Sequence, residues 1–173
     1  VLGNDGLPIM NSGNFAVVFK MEDKRNGVLY ALKCFTKEQE GRDEYYKLIE
    51  NELEDINSAY IVTFKYFKKE LFVNTHQTNE TEFPVLLMDW IDGLNLDIYI
   101  RSNLNNNFVL EKLAYDFCKM SAWLYIQPFA HGDIKPDNIL VKADGSIIIV
   151  DYDGMYVPSM RGNKARELGS PNF

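Results

Sequence analysis

Alternating apolar and polar positions run through the first half of the chain and predict an antiparallel β-sheet. The predicted strands are residues 7–10, 16–21, 28–35, 60–69, 70–73 and 84–90. Turn-forming residues lie between the early runs, in the segment NSGN and at Asn26-Gly27, and a polar loop occupies 75–82. We expect the last three runs to supply two or three strands between them, which gives a sheet of five.

One charged stretch, residues 37–57, interrupts the strand pattern and predicts a single helix beside this sheet. Its apolar residues recur at steps of three and four positions, which places them on one buried face of a helix. These residues are Tyr46, Ile49, Leu53 and Ile56.

Helical periodicity replaces alternation after Asp92-Gly93. It predicts helices at 94–103 and 109–127, followed by a β-hairpin turned at Asp144-Gly145. The change of pattern predicts an α+β protein with a sheet-rich lobe at 1–89, a connection at 90–93 and a helical lobe from 94 to 173.

Composition and charge narrow the class of protein. With 173 residues and 46% hydrophobic content the chain can bury a core, while a net charge of −7 argues against a nucleic-acid surface. No apolar run approaches the roughly 20 residues of a membrane span. Cys34 and Cys118 lack metal-ligand spacing, so we expect reduced thiols and a cytoplasmic location.

The segment HGDIKPDNIL at 131–140 gathers the chemistry-bearing residues. Together with VDYDG at 150–154 it could bring Asp133, Asn138 and Asp151 to one place. Two carboxyl groups and an amide oxygen suit a hard cation such as Mg²⁺, and Lys135 could offset the charge of a phosphate. By itself VDYDG would read as an ordinary Asp-Gly turn.

These two segments together resemble the catalytic loop and the metal-binding D-F-G of the protein kinases, separated by a hairpin. The resemblance implies a bilobal kinase-like fold, with a five-stranded antiparallel sheet and one helix in the N-lobe. It also implies a partial helical C-lobe, truncated after the activation segment, and it implies ATP and Mg²⁺ as cofactors.

The first half of the chain resembles the matching nucleotide-binding elements. SGNFAVVFK is similar to the glycine-rich loop, with Gly13 kept, and YALK is similar to the strand-three V-A-I-K. The resemblance implies that Lys33 holds the α- and β-phosphates, with Val18 and Ala31 above the adenine and Leu140 below it.

VLLMDWIDGLNL resembles the kinase hinge. It implies that Met88 is the gatekeeper, that the backbones of Asp89 and Ile91 bind the adenine edge, and that Asn95 is a weaker candidate for a ribose contact.

A helical carboxylate is expected to pair with Lys33. Glu50 and Glu52 are both possible partners, and we favour Glu50 because Leu53 follows one turn later.

The resemblance also assigns the chemical roles. Asp133 would orient the substrate hydroxyl and accept its proton, and Lys135 would neutralise the transferring phosphoryl group. Asn138 and Asp151 would hold Mg²⁺, while the side chain of His131 would pack beneath Tyr152.

Several departures from the family pattern leave alternatives open. Gly132 replaces an Arg that clamps phosphorylated activation loops, and Asp153 replaces the last Gly of D-F-G. GSPNF, with Ser170, resembles a peptide-receiving segment. We predict a serine/threonine protein kinase of a bacterial branch acting on protein substrates. A nucleotide-binding pseudokinase and a small-molecule phosphotransferase remain as alternatives.

Overall fold

The computed structural model describes residues 1–13, 15–74, 76 and 79–163, so the segment with Ser170 lies outside the described residues. The chain forms two compact units. The first contains Val1–Glu54 and Thr63–Trp90, and the second contains Asp55–Val62 together with the described residues from Ile91 onward. The sequence-based lobe limits of 1–89, 90–93 and 94–173 stay predictions.

The first unit is built on the predicted antiparallel sheet of five strands, which is confirmed, with the order β1-β2-β3-β5-β4. Its strands are β1 Met10–Ser12, β2 Ala16–Glu22, β3 Leu29–Phe35, β4 Phe64–Phe72 and β5 Glu82–Asp89.

The first strand starts later than the 7–10 expected from sequence. The reason is local: Pro8 has no N–H to give to a strand partner, and Ile9 donates its own N–H to Val1 O at 3.0 Å.

A single strand, β4, replaces the two runs predicted at 60–69 and 70–73. A register shift between Phe67 and Leu71 explains why the alternation is interrupted although the strand continues. Residues 60–63 precede the strand, and Ile61 instead bridges to Ile149 in the second unit.

The predicted helix is present as α1, Arg42–Leu53, and is shorter at both ends than 37–57. It begins after Gly41, which lies at a φ of 68°, and the acidic Asp43 and Glu44 occupy its first turn. Acidic side chains are favourable at a helix N-terminus and unfavourable at its end, where Glu54 and Asp55 follow, so the early stop is physically reasonable. Tyr46 of α1 stacks on Tyr66 at 5.5 Å between ring centroids.

The second unit combines two helices with a small antiparallel sheet of order β6-β7-β8. Its elements are β6 Gly93–Asn95, α2 Leu96–Ser102, α3 Asn107–Tyr125, β7 Ile139–Lys142 and β8 Ile147–Ile149. The expected hairpin at Asp144-Gly145 joins β7 and β8. The two strands pack with α3 around one buried core, which consists of Leu113, Met120, Ile139, Val141, Ile147 and Ile149.

β6 was not predicted, because the residues before α2 carry no strand signal. Asn95 ends β6 and also caps α2, where its side chain accepts a hydrogen bond from Ile98 N at 2.9 Å. The helix therefore begins at Leu96 rather than at 94. None of the described helices combines the length and apolarity needed to cross a membrane.

The segment Asp55–Val62 belongs to the second unit through specific contacts. Ile149 donates its N–H to Tyr60 O at 2.7 Å, and Ile61 bridges to Ile149 in parallel. The Tyr60 ring also meets Trp123 of α3 at 5.4 Å between centroids. This segment is therefore an integral part of the second unit, although its sequence neighbours α1 and β4 are in the first.

Candidate active site

Asp133, Lys135 and Asn138 form one hydrogen-bonded cluster in the second unit. Lys135 Nζ lies 2.6 Å from Asp133 Oδ2, and Asn138 Nδ2 donates to the same oxygen at 2.9 Å. Asn138 Nδ2 also donates to the backbone oxygen of Asp133 at 2.9 Å. Because the Asp133 side chain is only 9% exposed, these donors fix the direction of its carboxylate.

The local sequence explains this geometry. Pro136 begins a single 3₁₀ turn, Pro136–Asn138, and its fixed φ suits the first position of such a turn. Asn138 N donates to Lys135 O at 3.0 Å, which closes the turn and directs both side chains back to Asp133. The chain then enters β7, so the cluster is held at the start of a buried strand.

Asp151 is brought beside Asn138 by the backbone. Val150 donates its N–H to Asn138 O at 2.9 Å, and Val150 O is bonded to His131 Nε2 at 3.1 Å. Asp151 itself has a φ of 66°, a left-handed conformation that is uncommon for a residue with a side chain. Both predicted metal ligands are therefore held within one small hydrogen-bonded region.

The residues present fit a magnesium ion whose remaining ligands are phosphate oxygens. Asn138 donates from Nδ2 to two acceptor oxygens of Asp133, so the amide nitrogen of Asn138 faces Asp133. The Oδ1 of Asn138 therefore points away from Asp133, as binding of a cation would require. The described part of the chain has no group of three or more His, Cys, Asp or Glu that could hold a metal. A site of one amide, one carboxylate and phosphate oxygens is the kind that Mg²⁺ uses.

His131 is a buried member of the same region. Its ring meets the Tyr152 ring edge-on at 5.8 Å between centroids, and its Nδ1 accepts from Asp133 N at 3.4 Å. Burial lowers the pKa of His131, so the imidazole is neutral at pH 7 and can donate from Nε2 to Val150 O. These contacts hold the loop in position around Asp133.

Gly132 allows the loop to approach the segment after Asp151. It has a φ of 81°, and a Cβ at this position would lie 1.9 Å from Gly154 O. Two residues before Gly132 and two residues after Gly154, Ala130 and Tyr156 exchange backbone hydrogen bonds of 2.8 Å. The glycine that replaces the family's Arg is thus required by the backbone here.

The predicted nucleotide residues of the first unit share one face of its sheet. Val18 is opposite Lys33, and Ala31 is opposite Met88, and residues directly opposite each other in a sheet point to the same side. Lys33 and Ala31 are two positions apart on β3, so all four belong to one face. Lys33 is 5% exposed. Gly13 donates its N–H to Ala16 O at 2.9 Å in the turn before β2.

The other predicted nucleotide residues divide between the units. Asp89 is exposed at the end of β5, opposite Tyr30, and Ile91 follows as the first residue of the second unit's main segment. Asn95 and Leu140 are directly opposite each other on β6 and β7. The Asn95 side chain is engaged as the cap of α2.

Both candidate carboxylates for Lys33, Glu50 and Glu52, lie on α1. The Glu50 carboxylate is 3.4 Å from Lys65 Nζ and accepts from Tyr66 N at 3.4 Å, so it has partners on β4. Sequence reasoning missed these partners because the register of β4 decides them. Pairing of Glu50 with Lys33 stays a prediction.

Comparison with known proteins shows the family of the chain. Residues 7–173 match the protein kinase domain, and the chain belongs to this family. A "Protein kinase C-like" protein of Neurospora crassa is 31% identical over 84% of the chain, and "Protein kinase C-like 2" of Schizosaccharomyces pombe is 28% identical over 96%. "Serine/threonine-protein kinase AtPK1/AtPK6" of Arabidopsis thaliana is 25% identical over 88%.

The chain spans 12%, 16% and 32% of the length of these three relatives, respectively. All three come from eukaryotes, so they give no support to the expected bacterial branch.

Proposed function

We propose that this chain is a serine/threonine protein kinase domain that uses ATP and Mg²⁺ to phosphorylate hydroxyl groups of proteins. The observation that carries the proposal is the cluster of Asp133, Lys135 and Asn138, in which a buried carboxylate has a fixed direction next to a cation. Phosphoryl transfer depends mainly on such positioning and electrostatic stabilisation. Membership of the protein kinase family supports the same assignment.

The residues of the cluster divide the transfer step between them. Asp133 orients the incoming hydroxyl and accepts its proton as the new O–P bond forms, while the bond between the γ-phosphorus and the oxygen bridging to the β-phosphate breaks and ADP leaves. Lys135, 2.6 Å from that carboxylate, is placed to stabilise negative charge on the transferring phosphoryl group. Asn138 and Asp151 would hold Mg²⁺, which would offset the charge of the nucleotide phosphates.

The proposed nucleotide-binding residues are those that the resemblance to the kinase family assigns. Lys33 of the first unit binds the α- and β-phosphates, and Val18, Ala31 and Met88, on the same sheet face, contact the adenine. Gly13 lies in the turn that covers the phosphates. The remaining proposed contacts are the backbones of Asp89 and Ile91, the side chain of Leu140 and the amide of Asn95.

The finer assignments rest on sequence. We propose protein rather than nucleic-acid substrates, on the grounds of the acidic net charge of −7. A cytoplasmic location is proposed from the free thiols of Cys34 and Cys118. A bacterial branch is an interpretation of sequence style alone.

The test is phosphorylation measured by intact mass. The protein is incubated with ATP, Mg²⁺ and a generic acceptor protein, beside Asp133→Asn, which keeps the size of the side chain but cannot accept a proton. We expect mass gains of 80 Da steps on the acceptor or the protein itself, the mass of one added phosphoryl group, and a rate reduced at least about 100-fold in the variant. Thermal unfolding of both proteins checks that the variant is folded.

Other results would redirect the assignment. Nucleotide binding that Lys33→Met abolishes, without any mass gain, would favour the pseudokinase. Phosphorylation of a hydroxylated small molecule but of no protein would favour the small-molecule phosphotransferase. Equal rates in the parent and in Asp133→Asn would overturn the role of Asp133.

A further inference from the structure

The Tyr152 hydroxyl makes a two-way hydrogen bond with the backbone of Val62. Tyr152 Oη accepts from Val62 N at 2.9 Å and donates to Val62 O at 2.8 Å. A second carbonyl, Ile149 O, lies 3.2 Å from the same oxygen. Because Tyr152 is 3% exposed and Val62 is also buried, water does not compete for these groups.

This bond is specific to the side chain at position 152. The aromatic residue of the family's D-F-G has no hydroxyl, whereas VDYDG supplies one. The ring contact between Tyr152 and His131 needs only an aromatic ring, so it does not account for the hydroxyl.

Asp151 needs support on both sides because its backbone is in an unfavourable region. Its φ of 66° is left-handed, and residues with a side chain keep this conformation when their neighbours fix it. On the preceding side, Val150 is bonded through its N–H to Asn138 and through its carbonyl to His131. On the following side, Met155 N donates to Tyr152 O at 3.0 Å, and the Tyr152 hydroxyl attaches the turn to Val62.

We propose that Tyr152 is a positioning residue whose hydroxyl, by clamping Val62, holds the turn that presents Asp151 to the metal. The link to the metal rests on the proposed function, while the link to the turn does not. The clamp joins the Asp151 turn to the segment Asp55–Val62, which Tyr60 and Ile61 already fasten to β8.

The experiment compares Tyr152→Phe with Tyr156→Phe by amide hydrogen exchange in NMR spectra. Both variants lose one hydroxyl that bonds a backbone carbonyl, since Tyr156 Oη donates to Met160 O at 2.8 Å, but only the first touches Val62. We expect Tyr152→Phe to speed exchange at least about tenfold at Val62 and about threefold or more at Val150, next to Asp151. Tyr156→Phe should leave both within about twofold of the parent.

Two further readouts separate positioning from general loosening. The amide of Ile149, bonded to Tyr60 O at 2.7 Å, should stay protected in Tyr152→Phe. The Mg²⁺ concentration for half-maximal binding of a fluorescent ATP analogue should rise about threefold to tenfold, with metal-free affinity unchanged.

Each contrary result has a distinct meaning. Faster exchange at Val62 alone, with Val150 and the Mg²⁺ requirement unchanged, would mean that the bond is purely local and would overturn the proposal. Loss of protection at Ile149 would also overturn it, because the hydroxyl would then stabilise the whole unit. Absence of Mg²⁺-dependent binding in the parent would refute the proposed function, while Val150 would still decide whether the hydroxyl holds the turn.

Discussion

Two left-handed backbone positions, Gly132 and Asp151, lie on the two chain segments of the candidate active site. They have different physical origins. Gly132 has no Cβ and occupies a place where one would collide with Gly154 O, whereas Asp151 keeps its side chain and is held by bonds on either side. A Gly at the Arg position of the family pattern therefore reflects a close backbone approach.

Replacing Gly132 by Ala should be strongly destabilising. The new Cβ would meet a backbone oxygen that cannot move independently, so we expect a loss of at least about 2 kcal/mol in the free energy of unfolding. Gly27→Ala is the matched control: its φ is 72°, but no atom lies within 4 Å of its added Cβ. It should lose only about 1 kcal/mol, from the backbone conformation alone. Urea unfolding measures both, and equal losses would contradict the close approach.

Sequence distance decided which site residues could be predicted. Asp133, Lys135 and Asn138 lie within six positions, so one turn brings them together and the motif was sufficient. The Tyr152–Val62 bond joins residues 90 positions apart and depends on the folded second unit. The sequence signal for this bond was Tyr152 at the position of the family's Phe. That signal does not identify Val62 as the partner.

At the scale of elements, α1 is attached to β4 by a polar group as well as by its aromatic core. Asp43, in the first turn of α1, accepts from Tyr66 Oη at 2.5 Å and pairs with Lys68 Nζ at 2.5 Å. The bond from Lys68, followed by that from Tyr66, holds the pKa of Asp43 below its usual value. The Asp43 carboxylate therefore stabilises the folded protein when it is ionised.

Asp43→Asn should lower stability in a pH-dependent way. A carboxyl whose folded pKa is depressed contributes stability above its unfolded pKa of about 3.9 and loses it as pH falls through the folded pKa. We expect a deficit of about 1 kcal/mol at pH 7, allowing for solvent screening of a partly exposed group. The deficit should shrink as the pH falls below about 4.

Urea unfolding at pH 7, 5, 4 and 3 measures this deficit. Glu44→Gln, in the same helical turn but exposed, should show no more than about half the deficit. A deficit for Asp43→Asn that is independent of pH would argue against the ion pair.

Element types were more predictable than their limits. Periodicity identified α1, but its end depended on the charges of Glu54 and Asp55, which oppose the helix dipole. Pro8 displaced β1 along the chain, and β6 forms only because β7 is available as a partner. Tertiary pairing of this kind leaves no trace in local hydrophobic patterning.

For the whole molecule, the two cysteines offer a direct check of burial. Cys34 on β3 is 8% exposed and Cys118 on α3 is exposed, and burial raises the pKa of the Cys34 thiol. At pH 8 we expect an alkylating reagent to modify Cys118 at least about 100-fold faster than Cys34. Mass spectrometry of the Cys118→Ser variant isolates the slow reaction, and unfolded protein should show equal rates. Fast labelling of Cys34 in the folded protein would contradict the packing of β3.

The path of the chain between the two units limits how the protein can be divided. The chain leaves the first unit after Glu54, returns at Thr63 and leaves again after Trp90. A fragment that begins at Ile91 would therefore lack Ile61 and Tyr60, which bond β8, and also Val62, which bonds Tyr152. The second unit is discontinuous in sequence. Limited proteolysis within 55–62 should therefore destabilise the second unit, even though the polypeptide from Ile91 onward stays intact.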